Sequence, residues 1–301
     1  MKPTTLFSPA PAKGWLPWGL LAPFLLLAFI VAPLFTTDEV LVSMGLLTPR
    51  GDPIGLPGLY AFLLVAFTVT GLLTFAWVLL IERRPLSSIG LTASGVAPFF
   101  RGFAIGIVTI GAIVAAIWAT GGYQADGFGL AFANTEALTA IAILFACFMV
   151  QASVEEIIFR GWLMSVLARR FNVPAAVIVT SVVFMLLHYG PGTKAIAMAS
   201  TFLFSLFACL WALKANNIWG VMGWHAGWNW LLATGFEVPV TGIDAHVPAL
   251  VVKLIPRAGD LLTGGAQGPE ASVICLAFFA GASALLLWRL RRRPDQQNAS
   301  A

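Results

Sequence analysis

Charge is what this sequence has least of. Only 10% of its 301 residues are Asp, Glu, Lys or Arg, against 59% hydrophobic, and the mean hydropathy is +0.90. A soluble domain carries about a quarter charged residues, so an ordinary soluble fold is excluded. Histidine is scarcer still, with three in the chain, and no His-Glu-x-x-His pair exists to place zinc ligands one helical turn apart. The three cysteines, Cys147, Cys209 and Cys275, are odd in number and sit inside apolar runs at no metal-knuckle spacing. That excludes a disulfide framework and leaves them as small buried hydrophobes. There is no low-complexity stretch and no internal repeat, so one membrane-embedded domain without a sizeable soluble module is expected. The net charge of +4 is no nucleic-acid signature, because the arginines gather at the ends of apolar runs, where anionic lipid attracts them.

What is present are apolar runs long enough to span about 30 Å of hydrocarbon. Eight candidate spans lie near 14–35, 55–81, 102–122, 137–168, 173–190, 194–213, 217–236 and 272–290. The first is too long for a signal-peptide core and ends in no small-x-small cleavage site, so it reads as a membrane helix. The fourth is longer than a bare span and is expected to project into the cytosol. The expected fold class is all-α: a polytopic membrane protein of about eight transmembrane helices in one bundle enclosing a polar cavity. Lys2, Lys13, Arg83, Arg84, Arg101, Arg160, Arg169, Arg170, Lys214, Arg289, Arg291, Arg292 and Arg293 fall on one side. Arg50, Lys194, Lys253 and Arg257 fall on the other. That bias puts both termini in the cytosol, in what is expected to be the plasma (inner) membrane. Three regions follow: 1–136, N-terminal helices with an interfacial segment around 82–91; 137–235, a core; and 236–301, a surface or re-entrant excursion, the last helix and a basic tail.

In so apolar a chain, a few polar side chains carry the information. Glu155 and Glu156 lie side by side in the fourth span, and an intramembrane carboxylate costs several kcal/mol unless paired or functional. Glu156 and Arg160 are four apart, share a helical face and can pair. Glu155 points about 100° away and lacks that partner, which makes it the candidate general base. With the turn between spans four and five at Phe171-Asn172, Glu155 and His188 both lie about 24 Å from it on antiparallel helices. His225 and Asn229 are four apart on one face of the seventh span. These residues are expected to converge in one cavity open toward the cytosol. His246 sits in the excursion and reads as bland. The tryptophans at 219, 224, 228 and 230 fit either an apolar substrate surface or an interfacial belt.

Glu155-Glu156-x-x-x-Arg160, Phe184-x-x-x-His188 and His225-x-x-x-Asn229, in this order and spacing, resemble the three motifs of the CPBP family. That family holds type II CAAX prenyl endopeptidases and bacteriocin-processing or self-immunity (Abi-like) proteins. Pro85-Leu-Ser-Ser-Ile-Gly-Leu91 and Thr263-Gly-Gly-Ala-Gln-Gly-Pro-Glu270 are similar to its elements before the core and before the last helix. The core resemblance covers about 137–235. It implies an intramembrane glutamic or metallo-endopeptidase in which Glu155 and His188 hold and activate water, and His225 and Asn229 stabilise the oxyanion. The cofactor is open: Glu155, His188 and His225 are the metal ligands if a metal, zinc first among candidates, is bound. The expected partners are a hydrophobic or lipidated peptide or protein substrate and membrane lipids. A non-catalytic membrane peptide-binding chaperone or bacteriocin-immunity protein using the same cavity is the alternative. A proton- or ion-coupled transporter would call for a pseudo-symmetric repeat.

Overall fold

The computed structural model describes residues 6–8, 10–190 and 192–292. Lys2 and, of the expected basic tail, Arg293 lie outside the described residues.

Helices dominate. In chain order they are α1 (Ala22–Ser43), α2 (Gly55–Ile81), α3 (Val96–Ala119), α4 (Thr135–Arg170), α5 (Val173–Leu187), α6 (Ala195–Ala215), α7 (Trp219–Gly235) and α8 (Val273–Arg291). Six of these are long and apolar enough to cross a membrane. The other two, α5 with 15 residues and α7 with 17, fall short of the ~20 residues of a full crossing. The protein is therefore a multi-span, mostly helical membrane protein. It is not purely α: β1 (Tyr123–Phe128) pairs antiparallel with β2 (Val252–Pro256), Tyr123 opposite Pro256, with a bulge between Ala125 and Phe128. Period-2 patterning over so few residues, interrupted by Gly127, leaves almost no trace in the sequence.

Helix ends follow local chemistry. Asn134 caps α4, its Oδ1 accepting from Glu136 N at 2.8 Å and Ala137 N at 3.2 Å, and Asn172 caps α5, accepting from Ala175 N at 2.9 Å. Asn134 thus occupies two, and Asn172 one, of the four orphan donors at a helix start. The α4–α5 turn thus falls at Phe171-Asn172, where the sequence places it. The first helix does not begin where expected. Before Ala22 the carbonyls of Leu16 and Pro17 accept hydrogen bonds from the Arg170 guanidinium rather than from a helix. At its far end, Thr37 Oγ1 donates back to Pro33 O at 2.7 Å, so the polar Thr-Thr-Asp-Glu run continues the helix.

The C-terminal half of α4 is packed within the protein: every residue from Glu156 to Ala168 is buried. The segment before α1 wraps that end, held by Arg169 Nη2 on Ser8 O and Ala10 O, both at 3.0 Å, and by Gly14 N on Glu82 O at 3.0 Å. The 82–91 stretch is also partly packed in. Glu82 is fully buried, its Oε1 accepting from Trp77 Nε1 at 3.0 Å and Trp162 Nε1 at 2.8 Å, while its other oxygen pairs with Arg84. Arg84 reaches on to Ser165 Oγ at 3.0 Å. Burial lowers the Arg84 pKa, and the adjacent Glu82 opposes that shift.

The α3–α7 contact sets the position of the site-bearing helix. The two run parallel and meet through glycines spaced four apart, Gly102 and Gly106 on α3, Gly223 and Gly227 on α7, the small-xxx-small pattern that lets membrane helices touch backbone to backbone. A Cβ on Gly223 would stand 1.9 Å from Phe99 O, and one on Gly106 would stand 2.2 Å from Trp224 O. Gly223→Ala is therefore expected to push α7 away at a cost of about 1–3 kcal/mol, lowering Tm in detergent by several degrees. Gly281→Ala on α8, with nothing within 4 Å, should leave Tm unchanged, and thermal unfolding of the two variants side by side checks this.

Candidate active site

The expected residues are brought together by α4, the end of α5 and α7. Glu155 and Glu156 are followed at once by a π-helical stretch, Ile157–Leu163. Such widened turns occur often at functional sites, and no residue pattern in the chain signals this one. Arg160 lies within it and donates from Nη1 to Glu156 Oε1 at 2.9 Å. Both side chains are fully buried, and the guanidinium stands 4.4 Å above the Phe184 ring. The inferred pair is thus present, stiffened by a cation–π contact.

The same Glu156 oxygen receives His225 Nδ1 at 2.8 Å. A carboxylate offers only lone pairs, so Nδ1 carries the proton, and His225 turns Nε2 toward Glu155, whose Oε2 is 3.8 Å away. Glu155 is the more open carboxylate, its side chain 15% exposed against 0% for Glu156. Its Oε1 accepts from Gln151 Nε2 at 2.7 Å, and Gln151 Oε1 in turn accepts from Asn229 Nδ2 at 3.0 Å. One polar chain therefore runs Asn229, Gln151, Glu155, His225, Glu156, Arg160. Gln151 is the member that reading the sequence missed. The available signal was its position four residues before Glu155 on the same helical face.

His188 is joined less directly. It caps the end of α5, with Nδ1 at 2.8 Å from Phe184 O, and no hydrogen bond or ion pair among the described residues links it to Glu155. The two nevertheless line one apolar cavity of about 180 Å³, with Phe67, Val154, Phe159 and Leu187. His188 also lines a smaller cavity of about 50 Å³ with His225, Phe204, Thr241, Gln267 and Glu270. His188 thus stands between a greasy compartment holding Glu155 and a second one holding His225. Thr241, Gln267 and Glu270 come from the 237–271 excursion, next to the start of α8.

The excursion is a packed cap. Val238, Val240, Ala245, Val247 and Ala249 are buried, and Tyr123 Oη donates to Thr263 O at 2.7 Å. His246 is exposed and sits 3.4 Å from Asp244. Trp219 lines an apolar cavity with Phe99, Phe100 and Met222, away from Glu155 and His225. Trp224 and Trp228 are fully buried against Phe204 and Phe279, and the indole N–H groups of Trp219, Trp224, Trp228 and Trp230 all find acceptors, as buried indoles need. Cys147, Cys209 and Cys275 are free and buried.

Among the described residues no group of three or more His, Cys, Asp or Glu side chains is placed to hold a metal ion. Glu155, His188 and His225 remain the donor set one would call on. As arranged they do not close into a cage, and the chemistry considered below runs through side chains alone.

Comparison with curated proteins and with solved structures gives no match. A family model does match, over residues 137–231, and that segment carries all six expected site residues. The model is described as type II CAAX prenyl endopeptidase Rce1-like, and over these residues the chain is similar to that family.

Proposed function

We propose that the protein is an intramembrane endopeptidase that hydrolyses a peptide bond near the end of an apolar or lipidated substrate. The observation that supports this most is the polar chain itself, in which a half-open carboxylate, Glu155, faces His225 Nε2 while every other member is buried. Isolated polar groups in hydrocarbon are costly, and a device that only stapled helices would not leave one carboxylate open to a cavity.

The steps follow from the lone pairs. Glu155 Oε1 is held by Gln151, which orients the carboxylate and leaves Oε2 free. A water between Glu155 and His188 Nε2 loses a proton to Glu155 as its oxygen attacks the scissile carbonyl carbon. The carbonyl oxygen becomes an oxyanion, stabilised by the second Asn229 amide proton and by His225. For that, His225 must carry a proton on Nε2 as well as on Nδ1. When the C–N bond breaks, Glu155 returns the proton to the leaving amine. The apolar cavity beside Glu155 would take the greasy part of the substrate. In this reading α5 and α7 cross with the six longer helices, making eight spans with both termini cytosolic and 137–235 as the catalytic core.

Purified protein in detergent should cleave apolar peptides from a panel of prenylated and unmodified sequences, with and without chelator. Release of a C-terminal fragment supports the reading. Saturable binding with no cleavage of any member under either condition would favour the peptide-binding alternative.

A further inference from the structure

The element before α8 has no part in the chemistry above, yet it is built of tight glycine turns and hydrogen bonds. Gly264 and Gly268 both have positive φ, and a Cβ on either would stand 1.7 Å and 2.0 Å from the carbonyl oxygens of Gly268 and Pro239. Such turns admit only glycine. Their outcome is to hold Glu270. Its Oε1 accepts from Trp228 Nε1 at 2.8 Å, and its Oε2 accepts from Thr241 N at 2.7 Å and Thr241 Oγ1 at 2.8 Å. Its main-chain oxygen accepts from Ser200 Oγ at 2.6 Å. Four contacts from three separate parts of the chain fix this one residue in the wall of the cavity shared with His188 and His225.

Every partner of the carboxylate is a neutral donor, and no ion pair to Glu270 forms among the described residues. The donors account for an acceptor at both oxygens, where an amide would turn its NH2 against Trp228 or Thr241, but they leave the charge without a counter-ion at the cavity wall, next to the hydrocarbon. Resting on the peptidase reading, we propose that Glu270 is a specificity residue: it makes the cap end of the cavity a subsite for a cationic group, a Lys or Arg side chain or a free amine, near the scissile bond. A fixed carboxylate with its donors already arranged meets a cation at little reorganisation cost. It would repel a substrate that carries an acidic group there.

The test uses apolar peptides identical except for one residue beside the scissile bond, Lys, Gln or Glu, with wild type and Glu270→Gln. Gln keeps the size of the side chain and can still accept from Trp228 or Thr241. Wild type should show a KM at least tenfold lower for the Lys peptide than for the Gln peptide, and weakest use of the Glu peptide. Glu270→Gln should bring the three KM values together with kcat little changed. An equal loss on all three peptides, or a wild type that ignores the residue, would reduce Glu270 to a latch and overturn the proposal. Binding of the same peptides to Glu155→Gln, read as a shift in Tm, needs no turnover. A Lys preference there would keep the subsite even if no cleavage were ever seen, and equal shifts for the three peptides would remove it.

Discussion

Glu155→Gln is expected to lower turnover by about 10²–10⁴-fold, the usual contribution of a positioned general base, while leaving the fold intact. The amide keeps the size of the carboxylate and can still accept from Gln151, so the link to Asn229 survives. It cannot take a proton from water. Thermal unfolding should therefore match wild type within a degree or two, and the loss should fall on kcat with little change in KM. Gln151→Leu provides a graded comparison. It removes the hydrogen bonds that orient Glu155 and Asn229 but leaves both in place, so its loss should be smaller than that of Glu155→Gln. Wild-type turnover in Glu155→Gln would mean that the water is activated elsewhere.

Glu156→Gln should act on stability first. Glu156 Oε1 receives both Arg160 at 2.9 Å and His225 at 2.8 Å, and both acidic and basic side chains of the ion pair are fully buried. Removing one partner of a buried pair strands the other and costs about 3–5 kcal/mol. The expected reading is a fall in Tm in detergent much larger than for Glu155→Gln, with activity lost in parallel because His225 loses the acceptor that orients its ring. The double variant Glu156→Gln/Arg160→Met removes both charges and should recover much of the stability without recovering turnover. If the single variant melts like wild type, the pair is not structural in the sense argued here.

Much of this molecule is determined by its sequence alone. A chain with one charged residue in ten must put its apolar runs in a membrane, and backbone hydrogen bonding there leaves the helix as the form for such runs. Helical spacing then settles the Glu156–Arg160 pair, because residues four apart share a face whatever surrounds them. The capping chemistry of Asn172 likewise places the α4–α5 turn. Other features were decided by tertiary contacts between residues far apart in the chain. His225 choosing Glu156 over Glu155 for its Nδ1 proton depends on how closely α7 approaches α4, and that approach is set by glycines on α3. The burial of the second half of α4 depends on the N-terminal segment and on Glu82 reaching Trp162 across 80 positions. The cavity lining shared by His188 and Glu270 depends on a cap whose two short strands are separated by more than 120 residues. Local periodicity reports which face of an element a side chain occupies, and a cavity exists only where several faces meet.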